Sequence, residues 1–213
     1  MVTKRIIKIK PGLSLFKNLG SKKVSMKNII LLAVLFIGVN NFANAQNDKI
    51  NWISFEEAVE LNKTTPKKFF IDFYTDWCGW CKRLDAVTFK DAEVIDLINK
   101  NYYAIKFDAE RKDTVQFQNR DYIYVKPPES RRGYHVLAAA LMNKQMSYPT
   151  MVIMSVESAS ENVTFLQPIK GYIDGEALEP YLDYFAKDLH IQRVDFEEFK
   201  ANFKTNTSTQ TTE

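Results

Sequence analysis

The sequence contains very little cysteine and histidine for its length. Among its 213 residues there are two cysteines and two histidines. Two cysteines are too few for a small domain held by several disulfides, or for a four-cysteine metal site. Hydrophobic residues make up 46% and charged residues 26% of the chain. This balance excludes a chain that is disordered throughout, and the length suits a single globular domain.

Acidic residues are absent before Asp48. Eight of the 29 basic residues lie within the first 27 positions, which leaves 21 basic residues against 26 acidic ones in the rest of the chain. The main domain is therefore acidic, and a nucleic-acid partner is not expected because such a partner requires a basic surface.

A hydrophobic run long enough to span a bilayer is also missing near the N-terminus. The apolar stretch 29–39 is too short for a membrane helix, follows the basic region and precedes Ala43-Asn44-Ala45. These are the three parts of a secretory signal peptide. We therefore predict a signal peptide over 1–45, with Met26 as a possible start, and a periplasmic or secreted product without a stable membrane anchor. A buried core helix or an uncleaved anchor is the alternative.

The remaining pattern predicts a single α/β domain over 46–204 and a disordered, Thr-rich tail over 205–213. Residues 113–133 are expected to form an irregular insertion. The predicted strands are 69–74, 102–107, 151–154 and 163–169. The predicted helices are 55–62, one that starts at Cys78, 94–99, 134–143, 176–188 and 195–203.

The two cysteines, Cys78 and Cys81, stand where a predicted strand passes into a helix. One helical turn brings two sulfurs at this spacing within bonding reach. The free N–H groups and the dipole at a helix N-terminus favour a thiolate, so the pKa of Cys78 should be lowered, while Cys81 lies further inside. One thiol can then attack and the other resolve. A static structural disulfide and a zinc site with His135 and His190 remain alternatives, although the histidines lack finger spacing.

Several segments together resemble the thioredoxin superfamily, in particular its secreted bacterial thiol–disulfide oxidoreductases. The segment 70–82 contains Trp77-Cys78-Gly79-Trp80-Cys81-Lys82, and Tyr102–Asp108, Tyr148-Pro149-Thr150 and Lys170-Gly171-Tyr172 match later parts of the fold. The resemblance covers roughly residues 50–188. It implies a central mixed β-sheet flanked by helices, here with an insertion before the cis-proline strand and an extra C-terminal helix.

The resemblance also implies a role for each residue of the exchange reaction. Cys78 is the expected nucleophile and Cys81 the resolving thiol. Asp72 is the expected buried proton acceptor, with Lys106 as its cationic partner. Burial raises the pKa of a carboxyl, and a carboxyl that titrates near neutrality can carry a proton. A purely structural ion pair is the alternative for Asp72 and Lys106.

The same resemblance implies how a substrate is held. Pro149 is the expected cis proline that faces the sulfurs, and the backbone of Tyr148 would pair with an extended substrate. Trp77 and Trp80 are expected beside the cysteine pair, in contact with the substrate. Trp80 brings no positive charge to a thiolate, which favours a reductant over a strong oxidant.

These residues predict an enzyme that reduces disulfides of proteins or small molecules outside the cytoplasm. A membrane or soluble electron donor would reduce the pair again, and no cofactor or metal is expected. A disulfide oxidase or isomerase, or a non-catalytic binding or chaperone module, is the alternative. We expect the insertion 113–133 to be a surface decoration, with a substrate-recognition loop as the alternative, and His135 to be a surface or packing residue.

Overall fold

The computed structural model describes residues 48–207, with side chains through Phe203. All of them belong to one compact unit, Gln46–Glu213. The predicted signal peptide and residues 208–213 of the predicted tail lie outside the described residues.

The centre of the domain is a mixed sheet of five strands, which are β1 (Trp52–Ile53), β2 (Lys68–Tyr74), β3 (Tyr102–Asp108), β8 (Thr150–Val156) and β9 (Val163–Lys170). Their order across the sheet is β1-β3-β2-β8-β9. Strands β1, β2 and β3 are parallel, while β8 and β9 run antiparallel to their neighbours. The two-residue strand β1 was not predicted, because so short a segment has no measurable periodicity.

Within residues 48–207, six α-helices accompany this sheet, and the thioredoxin fold predicted from the sequence is confirmed. A single 3-10 turn, Thr88–Lys90, follows the second helix. The helices are α1 (Phe55–Thr64), α2 (Gly79–Ala86), α3 (Ala92–Asn101), α4 (Val136–Leu141), α5 (Gly175–Ala186) and α6 (Phe196–Thr207). None of these helices in the described part of the chain is long and apolar enough to cross a membrane.

Strand β2 lies in the middle of the sheet, and its side chains point alternately to two hydrophobic cores. Phe69, Ile71 and Phe73 pack in one core with α1 and α4. Phe70 packs in the other, with residues of α2, α3 and α5. Burial on both faces explains why this segment reads as a continuous apolar run.

The insertion is not irregular, as the sequence had suggested, but forms two short hairpins. Strands β4 (Val115–Phe117) and β5 (Arg120–Tyr122) pair through a turn at Gln118 and Asn119, both with positive φ. Strands β6 (Tyr124–Val125) and β7 (Tyr134–His135) form the second ladder. Because β7 occupies 134–135, helix α4 begins two residues later than predicted.

The extra C-terminal helix α6 packs on α5. Phe196 contacts the rings of Tyr181 and Tyr184, with centroids 4.5 and 5.1 Å away. Phe199 lies 5.4 Å from Tyr184. The helix ends at Thr207 and so runs into the segment that we expected to be a disordered tail.

Candidate active site

The two cysteines form a disulfide at the N-terminus of α2. The sulfur–sulfur distance is 2.04 Å and the Cα atoms are 5.3 Å apart. Cys78 is the N-cap of the helix, and its Sγ accepts a hydrogen bond from the Cys81 backbone N–H at 3.0 Å. The turn before it is closed by a hydrogen bond from Cys78 N to Thr75 O at 3.1 Å. The strand-to-helix junction predicted from the sequence is therefore the one observed.

The two sulfurs differ in their surroundings. Cys78 is 5% exposed and caps the helix, whereas Cys81 is 2% exposed and lies on the buried face of α2 with Leu84. An N–H donor directed at one sulfur stabilises the thiolate of that residue when the disulfide is reduced. The arrangement therefore favours attack by Cys78 and resolution by Cys81.

Asp72 is fully buried in β2, on the face of the sheet that α2 covers. It alternates with Phe69, Ile71 and Phe73 and so shares the side of Phe70, whose core includes Leu84 of α2. Burial raises the pKa of Asp72 to about 6, against the lowering effect of Lys106. Neither of its oxygens accepts a hydrogen bond of regular geometry from the described residues. A desolvated carboxylate on this face of the sheet can take up a proton near neutral pH.

Lys106 supplies the positive charge beside Asp72. The two residues are in register across the parallel strands β2 and β3, and Nζ of Lys106 lies 2.7 Å from Oδ2 of Asp72. The same ammonium group contacts Oδ1 of Asp85 on α2. Burial lowers the pKa of Lys106, but its two carboxylate partners outweigh this effect and the net pKa is raised. Lys106 is therefore a fixed positive charge that links β3 to α2.

The peptide bond between Tyr148 and Pro149 is cis. The Pro149 carbonyl accepts a hydrogen bond from Gly171 N at 2.9 Å, and Gly171 has the positive φ of 82° that glycine tolerates. The ring of Tyr148 meets the edge of Trp77 at 5.8 Å between centroids. This contact brings the cis-proline loop to the residue that precedes Cys78.

Two exposed indoles stand next to the cysteines in sequence, Trp77 directly before Cys78 and Trp80 directly before Cys81. Trp77 is 48% exposed and Trp80 is 59% exposed. Trp80 packs against Tyr172 at 5.4 Å, next to Gly171. Large exposed apolar rings beside a reactive pair are available for contact with a substrate.

Sequence reasoning missed three residues that contact this site: Asp85, Glu110 and Arg132. Asp85 lies four positions after Cys81, so helical periodicity could have placed it one turn further along α2. Glu110 accepts a hydrogen bond from Nε1 of Trp77 at 3.1 Å. The guanidinium of Arg132 lies 4.7 Å from the Trp77 ring centroid. No sequence signal indicated the last two, because they reach the site from the loop after β3 and from the insertion.

The histidines have other surroundings. His135 is fully buried, which excludes the surface position considered above, and its Nδ1 accepts a hydrogen bond from Leu137 N at 3.3 Å as the N-cap of α4. Burial lowers the pKa of His135 and of His190. Within residues 48–207, no group of three or more His, Cys, Asp or Glu side chains could hold a metal ion. In the described part of the chain, the two cysteines and two histidines therefore do not form a zinc site.

A family model described as "Thioredox_DsbH: Protein of unknown function, DUF255" matches residues 40–170. The match covers more than half of the chain and includes both cysteines, Asp72, Lys106 and Pro149.

Individual proteins match over shorter ranges. The "Thiol:disulfide interchange protein DsbD" of Campylobacter jejuni (strain RM1221) is 33% identical over 102 residues, which are 42% of this chain and 17% of that protein. The chain therefore spans a small part of that relative. A solved thioredoxin-fold protein from Helicobacter pylori is 16% identical, with 79% of this chain and 95% of that chain covered and a TM-score of 0.46. A putative disulphide-isomerase from Bacteroides thetaiotaomicron is 26% identical, with 67% and 96% covered and a TM-score of 0.42.

Proposed function

Since the chain belongs to the Thioredox_DsbH family, we propose that it is a thiol–disulfide oxidoreductase that reduces disulfides outside the cytoplasm. The observation that carries this proposal is the position of the Cys78–Cys81 disulfide at the start of α2, above the buried carboxylate of Asp72 and its partner Lys106. A structural disulfide needs neither a helix N–H at one sulfur nor a carboxylate that titrates near neutrality.

The reaction begins with the reduced pair. The thiolate of Cys78 attacks one sulfur of the substrate disulfide, so that a mixed disulfide forms while the substrate S–S bond breaks and one substrate thiolate leaves. Cys81 gives its proton to Asp72 and attacks the sulfur of Cys78. The second substrate thiolate then leaves, and the Cys78–Cys81 disulfide is formed.

Two electrons pass from the cysteine pair to the substrate in this sequence. The two substrate thiolates take up protons from Asp72 and from water. A dithiol donor, soluble or in the membrane, would restore the reduced pair by the same exchange in reverse. The predicted signal peptide supports a location outside the cytoplasm, where disulfides occur as substrates.

Reduction of insulin by dithiothreitol tests the activity. We expect the wild-type protein to accelerate insulin reduction and Cys78→Ser to abolish the acceleration. If the two proteins behave alike, the chain is a binding module and the proposal fails. The reduction potential of the cysteine pair tests the direction of electron flow, since a value near the oxidising end of the biological range would indicate an oxidase.

A further inference from the structure

The insertion reaches the candidate active site through Arg132. Its guanidinium lies over the face of the Trp77 ring, 4.7 Å from the centroid. At the other end of the insertion, Val115 and Phe117 pack in a hydrophobic core beside Phe55. Arg132 thus joins the insertion to the residue immediately before the nucleophile.

The position of Arg132 is fixed by its neighbours in the chain. The Arg132 carbonyl accepts a hydrogen bond from the Ser130 hydroxyl at 2.6 Å, and the Arg132 N–H donates a hydrogen bond to Oγ of Ser130 at 3.3 Å. The next residue, Gly133, packs so closely on Tyr124 and Val125 that a Cβ would overlap both. The Gly133 N–H also donates to the Tyr124 hydroxyl at 3.1 Å. Arg132 therefore lies in a hydrogen-bonded turn directly before β7.

The indole of Trp77 is held on three sides. Arg132 covers one face, Tyr148 meets the ring at an interplanar angle of 85°, and Nε1 donates to Glu110. Glu110 is in turn 3.8 Å from Nη1 of Arg132. Three partners in a fixed arrangement set the direction in which the remaining exposed surface of Trp77 points.

Beside this indole lies an open cleft of about 460 Å³, which extends from Asp76 to the base of the insertion. Its lining is strongly charged and includes Asp108, Lys112 and Arg131. A small disulfide needs only to reach the sulfur of Cys78. A polypeptide extends by roughly 3.3 Å per residue on either side of its cysteine, so it also covers surface next to Cys78, where Trp77 is exposed.

We propose that Arg132 is a specificity-determining residue that positions Trp77 as a contact surface for polypeptide disulfides. This inference rests on the proposed function, and it assigns the insertion to substrate recognition instead of surface decoration. Arg132 acts through Trp77 and takes no part in the exchange of sulfurs. Removal of the Arg132 side chain should therefore slow the reduction of large substrates and leave the reduction of small ones unchanged.

The test compares second-order rate constants of the pre-reduced protein with insulin and with 2-hydroxyethyl disulfide. For Arg132→Ala we expect about a fivefold loss with insulin, the scale of one exposed cation–π contact, and an unchanged rate with 2-hydroxyethyl disulfide. Arg132→Lys should recover part of the insulin rate. Arg131→Ala is the matched control, because Arg131 has the same charge and lines the same cleft but has no contact with Trp77 among the described residues.

Three results would overturn the inference: an unchanged insulin rate in Arg132→Ala, an equal loss with both substrates, or an equal loss in Arg131→Ala. Far-UV circular dichroism checks that each variant is folded. Cys78→Ser, measured in parallel, separates the two proposals. If Cys78→Ser still reduces insulin, the proposed function itself fails. If Cys78→Ser is inactive but Arg132→Ala is fully active, only the role of Arg132 is disproved.

Discussion

Nζ of Lys106 lies 2.7 Å from Oδ2 of Asp72, in register across two parallel strands. The carboxylate is fully buried, whereas the second carboxylate partner of Lys106, Asp85, is exposed on α2. One ammonium group therefore joins a buried acid in the sheet to an acid at the surface of the cysteine helix. The buried acid still has a pKa raised to about 6, because desolvation outweighs the attraction of Lys106.

The first prediction concerns the reactivity of the two thiols. In the reduced protein, Cys78 should react with iodoacetamide well below pH 8 and Cys81 should not, because the helix N–H that donates to Cys78 Sγ favours its thiolate. Alkylation rates between pH 5 and 9, with the modified cysteine identified by mass spectrometry, measure this. Cys78→Ser is the control, and equal rates at both sulfurs would contradict the assignment of the nucleophile.

The second prediction concerns the proton acceptor. Asp72→Asn should slow insulin reduction by about a hundredfold, the lower end of the range of general acid–base catalysis by a single side chain. The wild-type rate should rise with pH through about 6, where Asp72 loses its proton, and this rise should be missing in the variant. Asp121→Asn, an exposed change in β5, is the control. If the rate and the pH profile of Asp72→Asn are unchanged, Asp72 has only a structural role.

The third prediction follows from the same raised pKa and concerns stability. The folded state binds the Asp72 proton more tightly than the unfolded state does. The protonated carboxyl therefore contributes to the free energy of unfolding fully below pH 3.8, and this contribution is lost as the pH rises through about 6. Asp72→Asn should therefore raise the free energy of unfolding at pH 8 by about 1–3 kcal/mol and change it little at pH 3.5.

Urea unfolding of the oxidised proteins at both pH values measures this difference. Asp85→Asn is the matched control, since it removes the exposed partner of the same lysine and should change stability by less than about 1 kcal/mol. A loss of stability in Asp72→Asn at pH 8 would show that its attraction to Lys106 exceeds its desolvation cost.

The fourth prediction concerns the base of the insertion. Gly133→Ala should lower the free energy of unfolding by about 1–3 kcal/mol, because a Cβ would overlap the ring of Tyr124 and the carbonyl of Val125. Gly79→Ala is the matched control, since a Cβ there meets nothing within 4 Å and alanine is the better helix former. Thermal unfolding of both variants gives the comparison, and equal effects would show that β6 and β7 can separate without cost.

The helices and the four longer strands of the sheet could be predicted from the sequence, because each has a hydrophobic pattern or a capping residue of its own. Asp91 caps α3 through hydrogen bonds from the N–H groups of Glu93 and Val94, as its place before an apolar run indicates. The insertion could not be predicted in the same way. Its strands have only two or three residues each, and their pairing depends on close contacts such as that between Gly133 and Tyr124.

By itself, the sequence determined the strand-to-helix junction at Cys78, the charged residue within the central strand and the turn at Pro149. Each of these depends on a short segment whose local chemistry is sufficient to specify it. Only the tertiary structure decided that Asp85 shares Lys106 with Asp72, and that Arg132 stacks on an indole 55 positions earlier. Periodicity tells which side of an element is buried, but contacts between distant loops are set by how the whole core packs.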